Sequence, residues 1–256
     1  MADAFIWDEL MTTDAEAAKP FYRSVVGWEA RDAGPPHPGY SIFEAAGCGI
    51  AGLMTLPAEA CEQGARPGWV GYIAVEDTDA KAGEIEQAGG RILMPPGDIP
   101  EVGRFAFVTD PGGAAFYLLT PHPRDDVPPP MPRMTPGRVG WHELYAGDGE
   151  AAFRFYAEQF GWSEASVMDM GPMGTYRLWT AGGGEAVGGM MTKPAPMPRP
   201  AWPFYFVVES VEAAAARIRN GGGQVINGPM QVPDGSWIVQ GLDPQGAMFA
   251  LVSEQR

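Results

Sequence analysis

Basic side chains are scarce in this chain. Seventeen Lys and Arg stand against thirty-two Asp and Glu, a formal net charge of -15, which repels phosphate backbones and anionic lipid surfaces. Nucleic acid and membranes are therefore not expected as partners. Long apolar runs are missing too: no stretch approaches the ~20 residues needed to span a bilayer. The start, MADAFIWDEL, puts Asp3 and Asp8 where a secretory signal carries basic residues and then an apolar core. A cytoplasmic chain is the expectation. Cysteine is limited to Cys48 and Cys61; a reducing cytosol keeps such a pair as thiols, and both read as small buried or loop residues. Histidine is limited to His37, His122 and His142, which leaves few imidazoles for a metal.

What the chain does have is a repeat. Shifted by 134 positions, Trp7, Glu9, Leu10, Asp14, Glu16, Ala17, Ala18, Phe21, Tyr22, Gly27 and Trp28 fall on Trp141, Glu143, Leu144, Asp148, Glu150, Ala151, Ala152, Phe155, Tyr156, Gly161 and Trp162. At an offset of 133, Trp69, Tyr72 and Glu76 fall on Trp202, Tyr205 and Glu209, and Asp110, Pro111, Phe116 and Leu118 on Asp243, Pro244, Phe249 and Leu251. Self-similarity in conserved order over such a period means a duplicated unit. The proline-rich segment between the copies cannot pair in a sheet and reads as an extended linker. Domains are expected at 1–122 and 137–256, with a linker at 123–136. The 256 residues suffice for two cores, and the 35 glycines and 26 prolines interrupt well-patterned apolar segments, which predicts short strands.

Each copy halves again into a strand, a helix and three strands. AFIWDELMT alternates as a strand, Asp14 caps a helix on which Ala17, Ala18, Phe21, Tyr22 and Val25 share one face, and Gly27 ends it. Pro20 predicts a bend or a late start to that helix. After the loop PAEACEQGARPG the scheme restarts, with WVGYIAV as strand, Asp77 as cap, Gly89 and Gly90 as stop, and DPGG as the last turn. In the second copy Ser210 is the cap and DPQG the last turn. The aromatic residues on or after the helices, Phe21, Tyr22, Trp28, Phe155, Tyr156 and Trp162, read as core. The proline-rich loops at matching places, PAEACEQGARPG and KPAPMPRPA, read either as covers for a cavity mouth or as plain connectors.

A strand ending in Glu-Leu, a D-x-E-A-A helix running through Phe-Tyr to Gly-Trp, and a late D-P-x-G turn before an apolar strand together resemble the vicinal-oxygen-chelate superfamily of glyoxalases, bleomycin-resistance proteins and dioxygenases. The resemblance covers nearly the whole chain, twice, and is nearest to the tandem-domain type often labelled hydroxylase. It implies an α+β fold in which paired βαβββ modules form a U-shaped, eight-stranded sheet around a cavity, with helices outside. It also implies a divalent metal held by His, Glu or Gln from the first and last strands of the modules. Counting from the helix-capping aspartates and the D-P-x-G turns places two of those positions at Trp7 and Tyr117 in one copy and at Trp141 and Ala250 in the other, and the opening strand of each second module offers a third at about Val70 and Pro203. The fourth position, in GIAGLM and AVGGMM, is apolar or glycine in both. Only Tyr117 carries an oxygen, a poor ligand for Zn, Ni or Mn. No resident cofactor is expected on this pattern, with a divalent metal left as the open alternative.

Strand alternation puts Glu9 on the face of Trp7 and Glu143 on the face of Trp141, and Tyr72 and Tyr205 are expected to point the same way. Aromatic walls with one carboxyl group suit a flat, neutral or cationic organic ligand held by stacking, cation–π attraction and a charge-assisted hydrogen bond. The plainer reading is that the aromatics fill the sheet interior and that Glu9 and Glu143 pair with arginines such as Arg104 or Arg177. Three functions stay open: a metal-free small-molecule binder; a lyase, isomerase or dioxygenase with Glu9 or Glu143 as ligand or general base; and an interaction protein with filled cavities. A homodimer is compatible with each.

Overall fold

In a computed structural model, which describes residues 4–123 and 132–256, the chain forms two eight-stranded mixed sheets, one from each copy of the repeat. The first copy runs β1 (Phe5–Thr12), α1 (Ala15–Val26), β2 (Glu29–Asp32), β3 (Tyr40–Ala45), β4 (Cys48–Thr55), α2 (Ala58–Glu62), β5 (Gly68–Ala74), α3 (Thr78–Gln87), β6 (Arg91–Ile99), β7 (Gly103–Thr109) and β8 (Ala115–Pro121). The second runs β9 (Val139–Ala146), α4 (Gly149–Phe160), β10 (Ser163–Asp169), β11 (Thr175–Thr180), β12 (Gly188–Thr192), β13 (Phe204–Val207), α5 (Val211–Asn220), β14 (Gln224–Gln231), β15 (Trp237–Leu242) and β16 (Met248–Ser253). The strand orders are β2-β3-β4-β1-β5-β8-β7-β6 and β10-β11-β12-β9-β13-β16-β15-β14, so the two copies share one topology. Most of the proposed linker, 124–131, lies outside the described residues, as does Asp3.

Helix starts follow the capping chemistry. Asp14, Asp77, Asp148 and Ser210 each accept a backbone N–H from the residue three positions on, Ala17, Ala80, Ala151 and Ala213, a contact worth about 1 kcal/mol. Gly27 ends α1 in the left-handed region, at φ 92, where a side chain would be strained. The late start expected from Pro20 does not occur. Helix α1 begins at Ala15, directly after its cap, and takes Pro20 into its interior, because the buried face of Ala18, Phe21, Tyr22 and Val25 outweighs one missing backbone hydrogen bond. Nor is PAEACEQGARPG wholly loop, since α2 forms within it.

Packing groups the chain into two compact units that do not coincide with the copies. One comprises Met1–Trp7, Val70–Val127 and Trp141–Trp202; the other comprises Asp8–Trp69, Pro128–Gly140 and Pro203–Arg256. Sheet pairing thus stays within a copy, while each packed core joins modules of different copies. In the second unit Tyr22, Trp28, Phe43, Trp69, Phe206 and Phe249 form the core. Trp69 Nε1 donates to the Tyr22 hydroxyl at 2.9 Å, and that hydroxyl donates to Asp243 Oδ2 at 3.1 Å. The first unit repeats the arrangement: Trp202 Nε1 donates to Tyr156, and Tyr156 to Asp110 Oδ2, both at 3.3 Å. The aspartates of the D-P-x-G turns are therefore more than turn formers. Each also accepts backbone N–H groups of its own turn, from Ala114 in one case and from Gln245 and Ala247 in the other.

Candidate functional site

The repeated Trp-x-Glu pair is carried by β1 and β9. The parallel register sets Glu9 beside Gly52 of β4 and Glu143 beside Gly189 of β12. Both carboxyl groups are buried, Glu9 at 3% and Glu143 at 6% exposure, which is unusual for glutamate on a strand and requires polar company. For Glu143 that company includes Tyr176 of β11. Trp141 Nε1 donates to the Tyr176 hydroxyl at 2.9 Å, and the same hydroxyl is hydrogen-bonded to Glu143. Since the phenol oxygen already accepts from the indole, its own proton is the one shared with the carboxyl group. Burial pushes the Tyr176 hydroxyl well above its ordinary pKa, with the Glu143 charge adding to the shift and the Trp141 bond opposing it. A Cβ on Gly189 would come within 2.2 Å of the Tyr176 ring, so the absence of a side chain there is what lets that ring lie over β12.

Arg104 and Arg177, the two arginines named for the glutamates in the sequence, take other partners. Arg104 pairs with Asp79 and Asp98. Arg177 pairs with Glu150 and Glu164 and lies 4.9 Å from the Phe153 ring centre. Alternation along β11 turns Arg177 to the face opposite Tyr176, where it meets α4.

The other predicted wall residues fall in register across the second half of each sheet. In the first copy one row reads Tyr72, Tyr117, Phe107 and Met94, on β5, β8, β7 and β6. Tyr117 is stacked between Tyr72 and Phe107, with ring centres 4.4 Å away on each side. In the second copy the same row reads Tyr205, Ala250, Gln240 and Asn227. There Gln240 Nε2 donates to the Tyr205 hydroxyl at 2.7 Å, and Asn227 Nδ2 donates to Gln240 Oε1 at 3.2 Å. Tyr72, Tyr117 and Tyr205 are buried, and Trp7 and Trp141 are half-buried. Of the residues singled out in the sequence, the structure thus joins Trp141 to Glu143 through Tyr176, and Tyr72 to Tyr117. Tyr205 instead takes partners, Gln240 and Asn227, that sequence reasoning missed. Tyr176 was missed as well, although Tyr40 precedes Ile42, the partner of Gly52, as Tyr176 precedes Leu178, the partner of Gly189; the repeat held that signal. The histidines do not gather: His142 stacks on Phe5 at 4.5 Å, His37 lies in a turn and His122 is exposed.

The model of the Glyoxalase/Bleomycin resistance protein/Dioxygenase superfamily matches the chain twice, over residues 5–118 and 138–251. The chain belongs to this superfamily. It is 37% identical over 248 residues to "Putative glyoxylase CFP32" of Mycobacterium tuberculosis, covering 96% of this chain and 93% of the relative. It is 31% identical over 258 residues to the anthracycline biosynthesis protein DnrV of Streptomyces peucetius, covering 96% and 91%. Among solved structures it resembles the Mn(II)-bound glyoxalase from Novosphingobium aromaticivorans, with a TM-score of 0.65 at 17% identity over 99% of this chain and 82% of that one. It also resembles 2,2',3-trihydroxybiphenyl 1,2-dioxygenase from Sphingomonas wittichii, at 0.67 and 14% over 99% and 91%. These two likenesses speak to the fold.

That glyoxalase is Mn(II)-bound. At the positions where the resemblance puts metal ligands, Trp7, about Val70 and Tyr117, and Trp141, about Pro203 and Ala250, the side chains are aromatic or apolar and a poor donor set for a divalent metal, and Tyr117 lies in a ring stack. Among the described residues no three His, Cys, Asp or Glu come together in a group able to hold a metal ion.

Proposed function

We propose that this protein binds a flat organic molecule against the aromatic walls of its sheets without a resident divalent metal. Glu9 and Glu143 would accept a hydrogen bond or pair with a cationic group of the ligand. The observation that carries this reading is a buried carboxyl group on the first strand of each copy, Glu9 and Glu143, beside aromatic and apolar side chains at the positions where the resemblance puts metal ligands. An indole and a phenol present stacking area at little entropic cost, and a buried carboxyl group is strongly selective for a donor. The likeness to a protein named for anthracycline biosynthesis supports a polycyclic ligand. A second reading has its own support in the Trp141–Tyr176–Glu143 chain: a carboxylate that accepts the proton of a phenol can still take a proton from a bound carbon acid and return it, which is isomerase or lyase chemistry.

Titration of the intrinsic tryptophan fluorescence with flat aromatic amines and their neutral analogues, in the presence of a chelator, tests the first reading. Saturable quenching that weakens in Glu9→Gln and Glu143→Gln is the expected result. Binding that appears only on adding a divalent metal would overturn it.

A further inference from the structure

The hairpin that joins β10 to β11 carries Met168, Met170 and Met173 in the run MDMGPM. Methionine in a core is an adaptable filler, but these three fill no core. Met173 is 57% exposed, Met168 and Met170 are half-buried, and every other residue of β10 is exposed. The backbone holds the three close together. Met168 pairs with Tyr176, and Met170 continues the same ladder by donating its N–H to the Gly174 carbonyl at 2.8 Å. Two positions apart on a ladder, their side chains leave on one face from Cα atoms about 6–7 Å apart. The Met170 carbonyl also accepts the Met173 N–H at 3.3 Å, closing a turn that keeps those two Cα atoms within about 7 Å. Asp169 Oδ1 accepts the Gly171 N–H at 2.8 Å, and the Gly174 N–H donates to the Gly171 carbonyl at 2.9 Å, so the tip is tied to itself. A Cβ built on Gly171 or Gly174 would meet nothing within 4 Å, which leaves room around the tip.

Three neutral, polarisable thioethers on flexible stems are a donor set for a soft monovalent cation and a poor one for hard divalent ions, which take oxygen. The Asp169 carboxyl group in the same loop adds an attractive field for a cation. We propose that this hairpin is a binding site for Cu(I), held by the sulphur atoms of Met168, Met170 and Met173. The matching hairpin of the first copy, between β2 and β3, has no methionine, so the site exists once per chain. It takes a monovalent ion and stands or falls independently of the proposed function. Thioethers carry no proton to displace, so the affinity should be the same at about pH 5 and pH 7, whereas a site built on imidazole or thiolate weakens as pH falls.

Silver ion, the redox-stable analogue of Cu(I), is the probe, titrated without chloride into the full chain isotope-labelled at the methionine methyl groups and read by NMR. Cys48 and Cys61 are free thiols and compete for such an ion, so the Cys48→Ala/Cys61→Ala chain is titrated beside the wild type. The methyl signals of Met168, Met170 and Met173, assigned from single leucine variants, are expected to shift together and saturate while the other methionines stay in place. In the wild type the same three should move once the thiols are filled, so the outcome does not hang on the folding of the cysteine variant. Leucine is apolar and close to methionine in volume. Each of Met168→Leu, Met170→Leu and Met173→Leu should weaken binding at least about tenfold, a loss that follows even from removing a residue that only supports a ligand. Cu(I) delivered in competition with a bathocuproine chelator should follow the same order. Shifts at other methionines instead, no saturable shift, an affinity that falls steeply with acid, or undiminished binding in the triple leucine variant would overturn the proposal.

Discussion

Replacing Tyr22 with phenylalanine removes one oxygen from a site where no water can take its place, since Tyr22 is fully buried. That oxygen accepts from Trp69 Nε1 at 2.9 Å and donates to Asp243 at 3.1 Å, so its loss strands an indole donor and withdraws a donor from a buried carboxyl group. An unsatisfied buried group costs about 1–3 kcal/mol. Asp243 keeps the backbone N–H groups of Gln245 and Ala247, so its share falls at the low end and the total comes to about 2–3 kcal/mol. Tyr156→Phe removes the equivalent hydroxyl between Trp202 and Asp110, across longer bonds of 3.3 Å, and should cost somewhat less. The two networks share no partner, so the losses should add in the double variant. Urea unfolding followed by tryptophan fluorescence measures this free energy, and thermal unfolding followed by the same signal should show each single variant's midpoint lowered by about 4–12 °C. Single variants within about 0.5 kcal/mol of wild type would refute the reasoning, because they would mean that the stranded groups find other partners.

The same groups set a pH dependence. Burial raises the Asp110 and Asp243 carboxyls above their ordinary 3.8, so the folded state binds these protons more firmly. Their contribution to stability is complete below that value and is lost as pH rises through the folded pKa; Asp243→Asn should therefore lose less stability than wild type between acid and neutral pH. Tyr22 and Tyr156 are raised well above 10.0 by burial, with the facing aspartate adding to the shift. Above pH 10 stability should fall by about 1.4 kcal/mol per pH unit for each, and absorbance at the phenolate band should show both ionising only as the protein unfolds. Gly189→Ala would place a methyl against the Tyr176 ring, 2.2 Å from its nearest atoms. A loss of about 1–3 kcal/mol is expected, together with a ligand affinity that no longer responds to Tyr176→Phe.

Much of this architecture was legible in the sequence, because duplication supplies two readings of every element. The caps at Asp14, Asp77, Asp148 and Ser210 needed only local spacing. Of the bend or late start expected from Pro20, the late start does not occur, because a helix face buried on Phe21 and Tyr22 outweighs one lost hydrogen bond. The pairing of Tyr22 with Asp243 and of Tyr156 with Asp110 joins residues of different copies, and no local pattern encodes which module packs on which. Tyr176, Gln240 and Asn227 were missed for a related reason. Their hydrogen bonds come from strand register, and a residue that reads as an ordinary strand position acquires its partner only from the next strand.

The account turns on the mismatch between this chain and a metal site, and elemental analysis of protein purified without chelator or affinity nickel, paired with ligand titration before and after EDTA, tests it most directly. The account predicts divalent metal well below one per chain and a ligand affinity unchanged by EDTA. About one metal per copy, with binding lost on its removal and restored by adding it back, would contradict it.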